Sequence, residues 1–156
     1  MKNLALLGER RRTLNLVDGD GDGTIVGLCQ ILPRDIDSEA STIVLTDNGL
    51  VTKVNDSGDI LWKCNLEEVE DVGGGWFDLT FIDPELVCLS RRGAIVTVDP
   101  TTGKAELVGV FDQGLEAASW SPDKEVLLMV TSIEMMMTRM TTTGMKIKNL
   151  KSILTL

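Results

Sequence analysis

Three aspartates near the N-terminus are the residues whose spacing comes nearest to a known chemistry. They match the first half of a calcium loop, in which alternate carboxylates converge on one hard cation: Asp18, Asp20 and Asp22. An EF-hand also requires a bidentate glutamate at the twelfth position, where this chain has Cys29. Calcium loops of the kind found in propellers require an acid at the ninth position, where it has Val26. The sequence therefore favours a flexible acidic loop and assigns no metal, with calcium binding as the weaker alternative.

Enzymatic chemistry has little support in the rest of the chain. There is no histidine, which removes His-based acid–base catalysis, Ser–His and Cys–His nucleophile pairs, and zinc sites that use imidazole. The three cysteines lack CxxC spacing and are expected to be buried, reduced thiols: Cys29, Cys64 and Cys88. Neither a GxxxxGK[ST] phosphate loop nor a Rossmann fingerprint occurs. The sequence therefore predicts a protein that is not an enzyme and holds no cofactor.

The balance of charge limits the kind of partner. The 156 residues include 24 acidic and 15 basic side chains, and the net charge of −9 disfavours nucleic acid, because binding phosphates requires a basic face. The segment 139–156 is an exception, with four basic residues and no acidic one: Arg139, Lys146, Lys148 and Lys151. No apolar run is long enough for a signal peptide or a membrane span, so no membrane partner is expected and the cytosol is the expected compartment.

The elements that would have to position a site are short strands. Apolar or β-branched runs alternate with turn signals rich in Gly, Pro, Asn and Asp from residue 24 to residue 150. The clearest example is Gly114–Val130, where the sequence Ser-Trp-Ser-Pro-Asp (119–123) leads into a continuous apolar run. Pro122 and Asp123 favour a tight turn between two strands there, and Trp120 is expected to anchor the core.

The turn signals repeat along the chain. Three prolines lie at the turn between the first and second strands of successive units: Pro33, Pro84 and Pro122. Three glycines lie at the turn between the third and fourth strands, spaced 45 and 41 residues apart: Gly58, Gly103 and Gly144. A period of about 40–45 residues is that of one four-stranded blade of a β-propeller.

The sequence therefore predicts an all-β fold of WD-repeat-like propeller blades, about three four-stranded antiparallel blades in an incomplete ring. The predicted blades are 24–66, 76–111 and 115–153, preceded by an N-terminal strand and acidic loop at 1–23. Residues 66–75 are predicted to be a linker whose acidic patch is solvated, with recognition of a basic partner as the alternative. Three blades do not close a ring, so we expect either that residues 1–17 add strands or that the chain is a truncated part of a larger ring. If the chain is truncated, its uncovered apolar blade faces would make it poorly soluble or unstable in isolation.

The order of these motifs resembles one known family. The N-terminal sequence Met-Lys-Asn-Leu-Ala-Leu (1–6), the Ser-Trp-Ser-Pro-Asp junction (119–123) and Met-Met-Met-Thr (135–138) are similar to the start of the largest subunit of the Elongator complex, the IKAP family. The resemblance covers roughly residues 1–137. It implies a non-catalytic scaffold built of WD-type propellers followed by a helical repeat region, which this chain lacks.

What the resemblance implies about function concerns an assembly. In that family the scaffold holds together a complex whose separate catalytic subunit modifies wobble uridines of transfer RNA, and the complex is also linked to transcription elongation. The implied partners are the other Elongator subunits, including the catalytic one, and the implied locations are the cytoplasm and also the nucleus. The resemblance places no catalytic residue and no direct nucleic acid contact in this segment.

Other interpretations of single features are weaker. A generic propeller adaptor in another assembly shares the fold and the non-catalytic role, so only its partners would distinguish it. The methionines between 129 and 145 fit packed strands better than a soft-metal site, since methionine fills irregular gaps in cores. The three tryptophans are likewise expected in the blade core rather than on a base-stacking platform: Trp62, Trp76 and Trp120.

Overall fold

A computed structural model describes residues 23–33, 40–123, 126–131 and 135–139, with backbone only at 126 and 135–139. Eleven strands lie in these ranges: β1 (Ile25–Ile31), β2 (Ser41–Thr46), β3 (Leu50–Asn55), β4 (Ile60–Asn65), β5 (Trp76–Ile82), β6 (Glu85–Ser90), β7 (Ala94–Val98), β8 (Ala105–Val110), β9 (Ala117–Ser121), β10 (Val126–Val130) and β11 (Met135–Arg139). A 3₁₀ turn, Leu66–Glu68, follows β4. No helix in these ranges is long and apolar enough to cross a membrane.

The strands form three antiparallel sheets in which chain neighbours are sheet neighbours. Blade 1 has the order β1-β2-β3-β4, blade 2 the order β5-β6-β7-β8, and blade 3 contains β9-β10-β11. The prediction of four-stranded antiparallel blades is confirmed. The last strand of the blade predicted at 115–153 and the strand predicted within 1–23 lie outside the described residues.

The hairpin turns repeat in their hydrogen bonds as well as in sequence. In the β2–β3 turn the Gly49 N–H donates to the carbonyl of Thr46 at 3.0 Å, and in the β6–β7 turn Gly93 donates to Ser90 at 3.0 Å. Both glycines have positive φ, 84° and 95°, which a Cβ would oppose. Blades 1 and 2 are therefore two copies of one local design.

Blade 2 buries both of its faces. One hydrophobic cluster lies between blades 1 and 2 and includes Leu86 and Cys88, whereas a second lies between blades 2 and 3 and includes Val87 and Leu89. Successive residues of a strand point to opposite faces, so β6 supplies both clusters at once. Each of these apolar side chains adds about 1.5–3 kcal/mol when fully buried, so a blade is stabilised largely by its neighbours.

The first strands of adjacent blades lie against each other. At Gly27 of β1 an added Cβ would fall 2.5 Å from the Cβ of Leu79 in β5, so only glycine allows this approach. Strand β5 in turn contacts β9. Since the blades adjoin along β1, β5 and β9, strands β4 and β8 lie on the outer side.

The segment 66–75 departs from a simple linker. It begins with the 3₁₀ turn, and Leu66 is fully buried in the cluster between blades 1 and 2. The Leu66 N–H donates to the carbonyl of Gly49 at 2.9 Å, which extends the β3–β4 ladder. The side chain of Asn65 caps the turn by accepting from the N–H of Glu67 at 3.1 Å. An apolar residue at the head of an acidic stretch is thus part of the core.

Candidate binding surface

The predicted structural residues gather at one end of the blades. Gly58 and Gly103 occupy the β3–β4 and β7–β8 turns with φ of 93° and 74°. Pro84 follows a cis peptide bond in the two-residue β5–β6 turn. Pro33 is exposed just after β1, and two more exposed residues come just after β9: Pro122 and Asp123. Gly144 lies outside the described residues.

A contact between blades links the β7–β8 turn to strands β3 and β4. The Pro100 carbonyl accepts from Nζ of Lys53 at 2.7 Å and from Nε1 of Trp62 at 3.2 Å. An added Cβ at Gly103 would lie 2.9 Å from Cδ2 of Trp62. The β7–β8 turn of blade 2 therefore lies against the indole ring of blade 1, and Trp62 is a contact between blades.

Trp76 plays a comparable part at the opposite end. Its ring is buried, and its Nε1 donates to Oε1 of Glu67 at 2.9 Å. An added Cβ at Gly49 would fall 2.7 Å from that nitrogen. One carboxylate of the predicted solvated acidic patch is therefore held by a hydrogen bond, which the sequence did not reveal because the donor lies in the first strand of the next blade.

Trp120 lies in β9 opposite Leu127 and packs, partly buried, against the cluster between blades 2 and 3. This is the location expected for a residue that anchors the core of a blade. The same cluster contains Met129, which is fully buried. The described tryptophan and methionine side chains of this region thus contribute to packing between blades.

Buried hydroxyls recur at the end of the second strand of each blade, and sequence reasoning missed them. Ser90 Oγ donates to the Gly73 carbonyl at 2.7 Å and accepts from the N–H of Arg92 at 3.0 Å. Thr46 Oγ1 bonds with Oδ1 of Asn48, and Thr131 Oγ1 bonds with Oε1 of Gln113. The three positions follow nearly the same period as the turn glycines, so a signal was present in the sequence: Thr46, Ser90 and Thr131.

The cysteines are poorly suited to nucleophilic chemistry. All three are free and pack in or against the cluster between blades 1 and 2: Cys29, Cys64 and Cys88. Burial raises the pKa of the Cys29 thiol from 9.0 to about 11. Burial also raises the pKa of Cys88 and, with the nearby charge of Glu68, that of Cys64. The reactive species is the thiolate, so these groups are uncharged packing residues near neutral pH.

Two aspartates have pKa values shifted by structural causes. The half-buried Asp78 has a raised pKa because of desolvation, which the N–H of Leu79 opposes at 2.9 Å. Asp99 has a lowered pKa because its carboxylate accepts from the N–H groups of Thr102 and Thr101. The Asp99 carboxylate therefore stabilises the β7–β8 turn, and the nearby charge of Lys53 also lowers its pKa.

The described side chains form no candidate metal site. Within 23–33, 40–123 and 126–131, no three His, Cys, Asp or Glu side chains converge on a position that could hold a metal ion. The aspartates of the candidate calcium loop lie outside the described residues: Asp18, Asp20 and Asp22.

A groove lies at the outer edge of the described blades. It has a volume of about 460 Å³ and runs between β4 of blade 1 and the start of β8 in blade 2. We name it the β4 groove, and its walls include Leu50, Lys63, Cys64, Asn65, Gly103 and Ala105. The 3₁₀ turn closes one end, where Glu68 and Val69 also contribute. Its walls combine backbone, small and charged groups, an arrangement that suits the binding of an extended segment.

Antiparallel four-stranded sheets that adjoin along their first strands and bury both faces of the middle sheet define a protein of the β-propeller class. Two solved structures agree on the fold. The computationally designed Ika4 protein superimposes with a TM-score of 0.62 at 13% identity, covering 94% of this chain and 82% of its own. The designed Ika8 protein gives 0.56 at 14% identity, covering 81% of this chain and 35% of its own.

The chain belongs to the family described as the ELP1 first N-terminal beta-propeller, whose model matches residues 1–149. Elongator complex protein 1 of Saccharomyces cerevisiae is 30% identical over 146 residues, or 84% of this chain, and that of Drosophila melanogaster is 31% identical over 103 residues, or 65%. The protein of the same name from Rattus norvegicus is 38% identical over 61 residues, or 37%. The chain spans 11%, 8% and 5% of the length of these three relatives. The resemblance to the Elongator subunit is confirmed.

Proposed function

We propose that this chain is a non-catalytic scaffold segment of the Elongator complex, and that it supports the modification of wobble uridines in transfer RNA. The observation that carries the proposal is the match of residues 1–149 to the first propeller of that family. The described structure is compatible with it, because the buried residues serve packing between blades and the concave surface suits a protein partner.

The partners we propose are the other Elongator subunits, including the catalytic one, in the cytoplasm and also in the nucleus. The test is co-purification of the tagged 156-residue chain with those subunits from cells, beside full-length Elongator complex protein 1. Recovery of the catalytic subunit by both supports the proposal. Recovery by the full-length protein alone would favour the alternative, an adaptor that uses its blades in another assembly.

A matched pair of variants makes the test specific to the fold. Gly103→Val places a branched side chain against Trp62 and should separate blades 1 and 2, whereas Gly75→Ala meets only the Cβ of Arg91 at 3.7 Å. In cells that rely on the full-length protein, the first change at the corresponding glycine should lower wobble-uridine modification, measured by mass spectrometry of tRNA nucleosides. Equal modification in both variants would contradict a scaffold role for these blades.

A further inference from the structure

The outer strand of blade 1 has a free backbone edge. Strand β4 pairs with β3, and within the described residues no strand pairs with its other side. The Leu66 N–H donates to the Gly49 carbonyl, so these two residues form a hydrogen-bonded pair. From there, non-hydrogen-bonded and hydrogen-bonded pairs alternate along the antiparallel ladder. Lys63 and Asn65 therefore occupy non-hydrogen-bonded positions opposite Thr52 and Leu50, and their backbone N–H and C=O groups point away from β3.

These outward groups open onto the β4 groove. Lys63 and Asn65 line it, and Gly103 and Ala105 form its far wall without long side chains. Adjacent strands lie 4.7–4.9 Å apart, so an added strand would follow β4 along the groove and direct alternate side chains into it. The geometry is that required for addition of a strand to a sheet edge, in which main-chain bonds give affinity and pockets give specificity.

The start of β4 carries apolar side chains that water reaches. Ile60 is 39% exposed and Leu61 is 52% exposed. Natural proteins usually protect an edge strand with charges, prolines or a covering segment, because an exposed apolar edge pairs readily with other chains. The edge of β4 thus offers both unpaired backbone groups and apolar contact area to a partner.

Charge determines which partner fits. The end of the groove at the 3₁₀ turn carries the carboxylate of Glu68, and two further exposed acids follow it in the chain: Glu70 and Asp71. Lys63 is the cation among the groove residues. The acidic end of the groove and the net charge of −9 favour a basic occupant over an acidic one.

We propose that the β4 groove binds an extended, basic segment of a partner protein, which adds a strand to the free edge of β4. A small or β-branched residue of that segment packs between Cys64 and Ala105, and a Lys or Arg side chain meets Glu68. This proposal does not depend on which assembly the chain belongs to, since it rests on the edge, the groove and the charge.

The test is fluorescence anisotropy with a fluorescein-labelled six-residue peptide of alternating valine and lysine, added to the full 156-residue chain. Lys63→Pro removes an outward N–H without touching the bonds to β3, so it should weaken binding at least tenfold. Lys63→Ala keeps the backbone N–H and removes a positive charge that repels the lysines of the peptide. This variant should therefore bind the peptide as tightly as the unchanged chain or more tightly. Glu68→Lys should weaken the binding of this peptide several-fold and strengthen the binding of a peptide of alternating valine and glutamate.

Ala105→Trp provides an independent readout should Lys63→Pro fail to fold, because an indole at 105 would fill the groove from blade 2. Circular dichroism and thermal unfolding establish that each variant is folded. If the valine–lysine peptide does not bind at chain concentrations up to about 1 mM, the proposal is overturned. It is also overturned if folded Lys63→Pro and Ala105→Trp bind the peptide as tightly as the unchanged chain does. So would dimerisation through β4, seen by sedimentation as a concentration-dependent dimer that Lys63→Pro abolishes, since the occupant would then be a second copy. Each of these results leaves the Elongator proposal to its own test.

Discussion

The indole ring of Trp62 covers Gly103 across the boundary between blades 1 and 2, where an added Cβ would fall 2.9 Å from Cδ2 and from Cε3. The same ring donates from Nε1 to the Pro100 carbonyl at 3.2 Å, and Lys53 donates to that oxygen as well. The β7–β8 turn is thus held on blade 1 by one ring and one shared carbonyl. A substitution at 103 acts on two blades at once.

Gly103→Ala should lower the free energy of unfolding by about 2–4 kcal/mol, because it combines a positive φ of 74° with a clash against Trp62. Gly75→Ala is the matched control, since its φ of 83° carries the same backbone cost but its Cβ would have ordinary contacts. It should cost about 1–2 kcal/mol. Urea unfolding of both variants measures the difference. Equal losses of unfolding free energy in the two variants would show that the Trp62 ring moves aside without destabilising the fold.

Glu67→Ala should destabilise the chain by about 1–3 kcal/mol, because it leaves the N–H of the buried Trp76 ring without its acceptor. Glu70 is exposed and lies three residues away, and Glu70→Ala should change stability by less than about 0.5 kcal/mol. Chemical unfolding followed by tryptophan fluorescence makes the comparison. If both substitutions behave alike, the acidic patch is uniformly solvated, as the sequence predicted.

Ser90→Ala should lower stability by about 1–3 kcal/mol, because the Gly73 carbonyl loses its donor and the Arg92 N–H its acceptor. Ser90→Thr keeps the hydroxyl and should cost less, since threonine occupies the equivalent buried positions in the other blades: Thr46 and Thr131. Thermal unfolding monitored by circular dichroism ranks the two. A threonine variant less stable than the alanine variant would mean that space, and not the hydrogen bonds, decides this position.

The strands were readable from the sequence because each is a short apolar or β-branched run ending at a turn residue. Runs such as 94–98 and turns such as Asp47–Gly49 carry that signal locally. The bonds from Lys53 and Trp62 to Pro100 span 47 and 38 residues, and they depend on which faces of two blades meet. The β4 groove is hidden for the same reason, since alternation along β4 does not reveal that Gly103 stands opposite.

The cysteines packed in or against the cluster between blades 1 and 2 should make stability fall as the pH rises above 9. The pKa of Cys29 is 9.0 unperturbed and about 11 in the fold, so between these values the unfolded chain loses a proton that the folded chain keeps. The contribution of the thiol is thus fully present below pH 9 and is lost as the pH rises through 11. Cys29→Ala should flatten the decline in the denaturation midpoint between pH 9 and 10.5. An unchanged slope in that variant would assign the decline to other groups.

The first strand of blade 1 and the residue after it expose apolar side chains on the face away from blade 2, where the prediction that the isolated chain is poorly soluble can be tested. Ile25 is 55% exposed, Leu28 63% and Leu32 68%. Leu28→Gln should therefore reduce self-association and the binding of an apolar dye, while stability changes by less than about 0.5 kcal/mol. Ser57→Gln, in an exposed turn, is the surface control and should change neither property. Light scattering over a concentration series provides the measurement. Self-association of Leu28→Gln equal to that of the unchanged chain would show that another surface drives it.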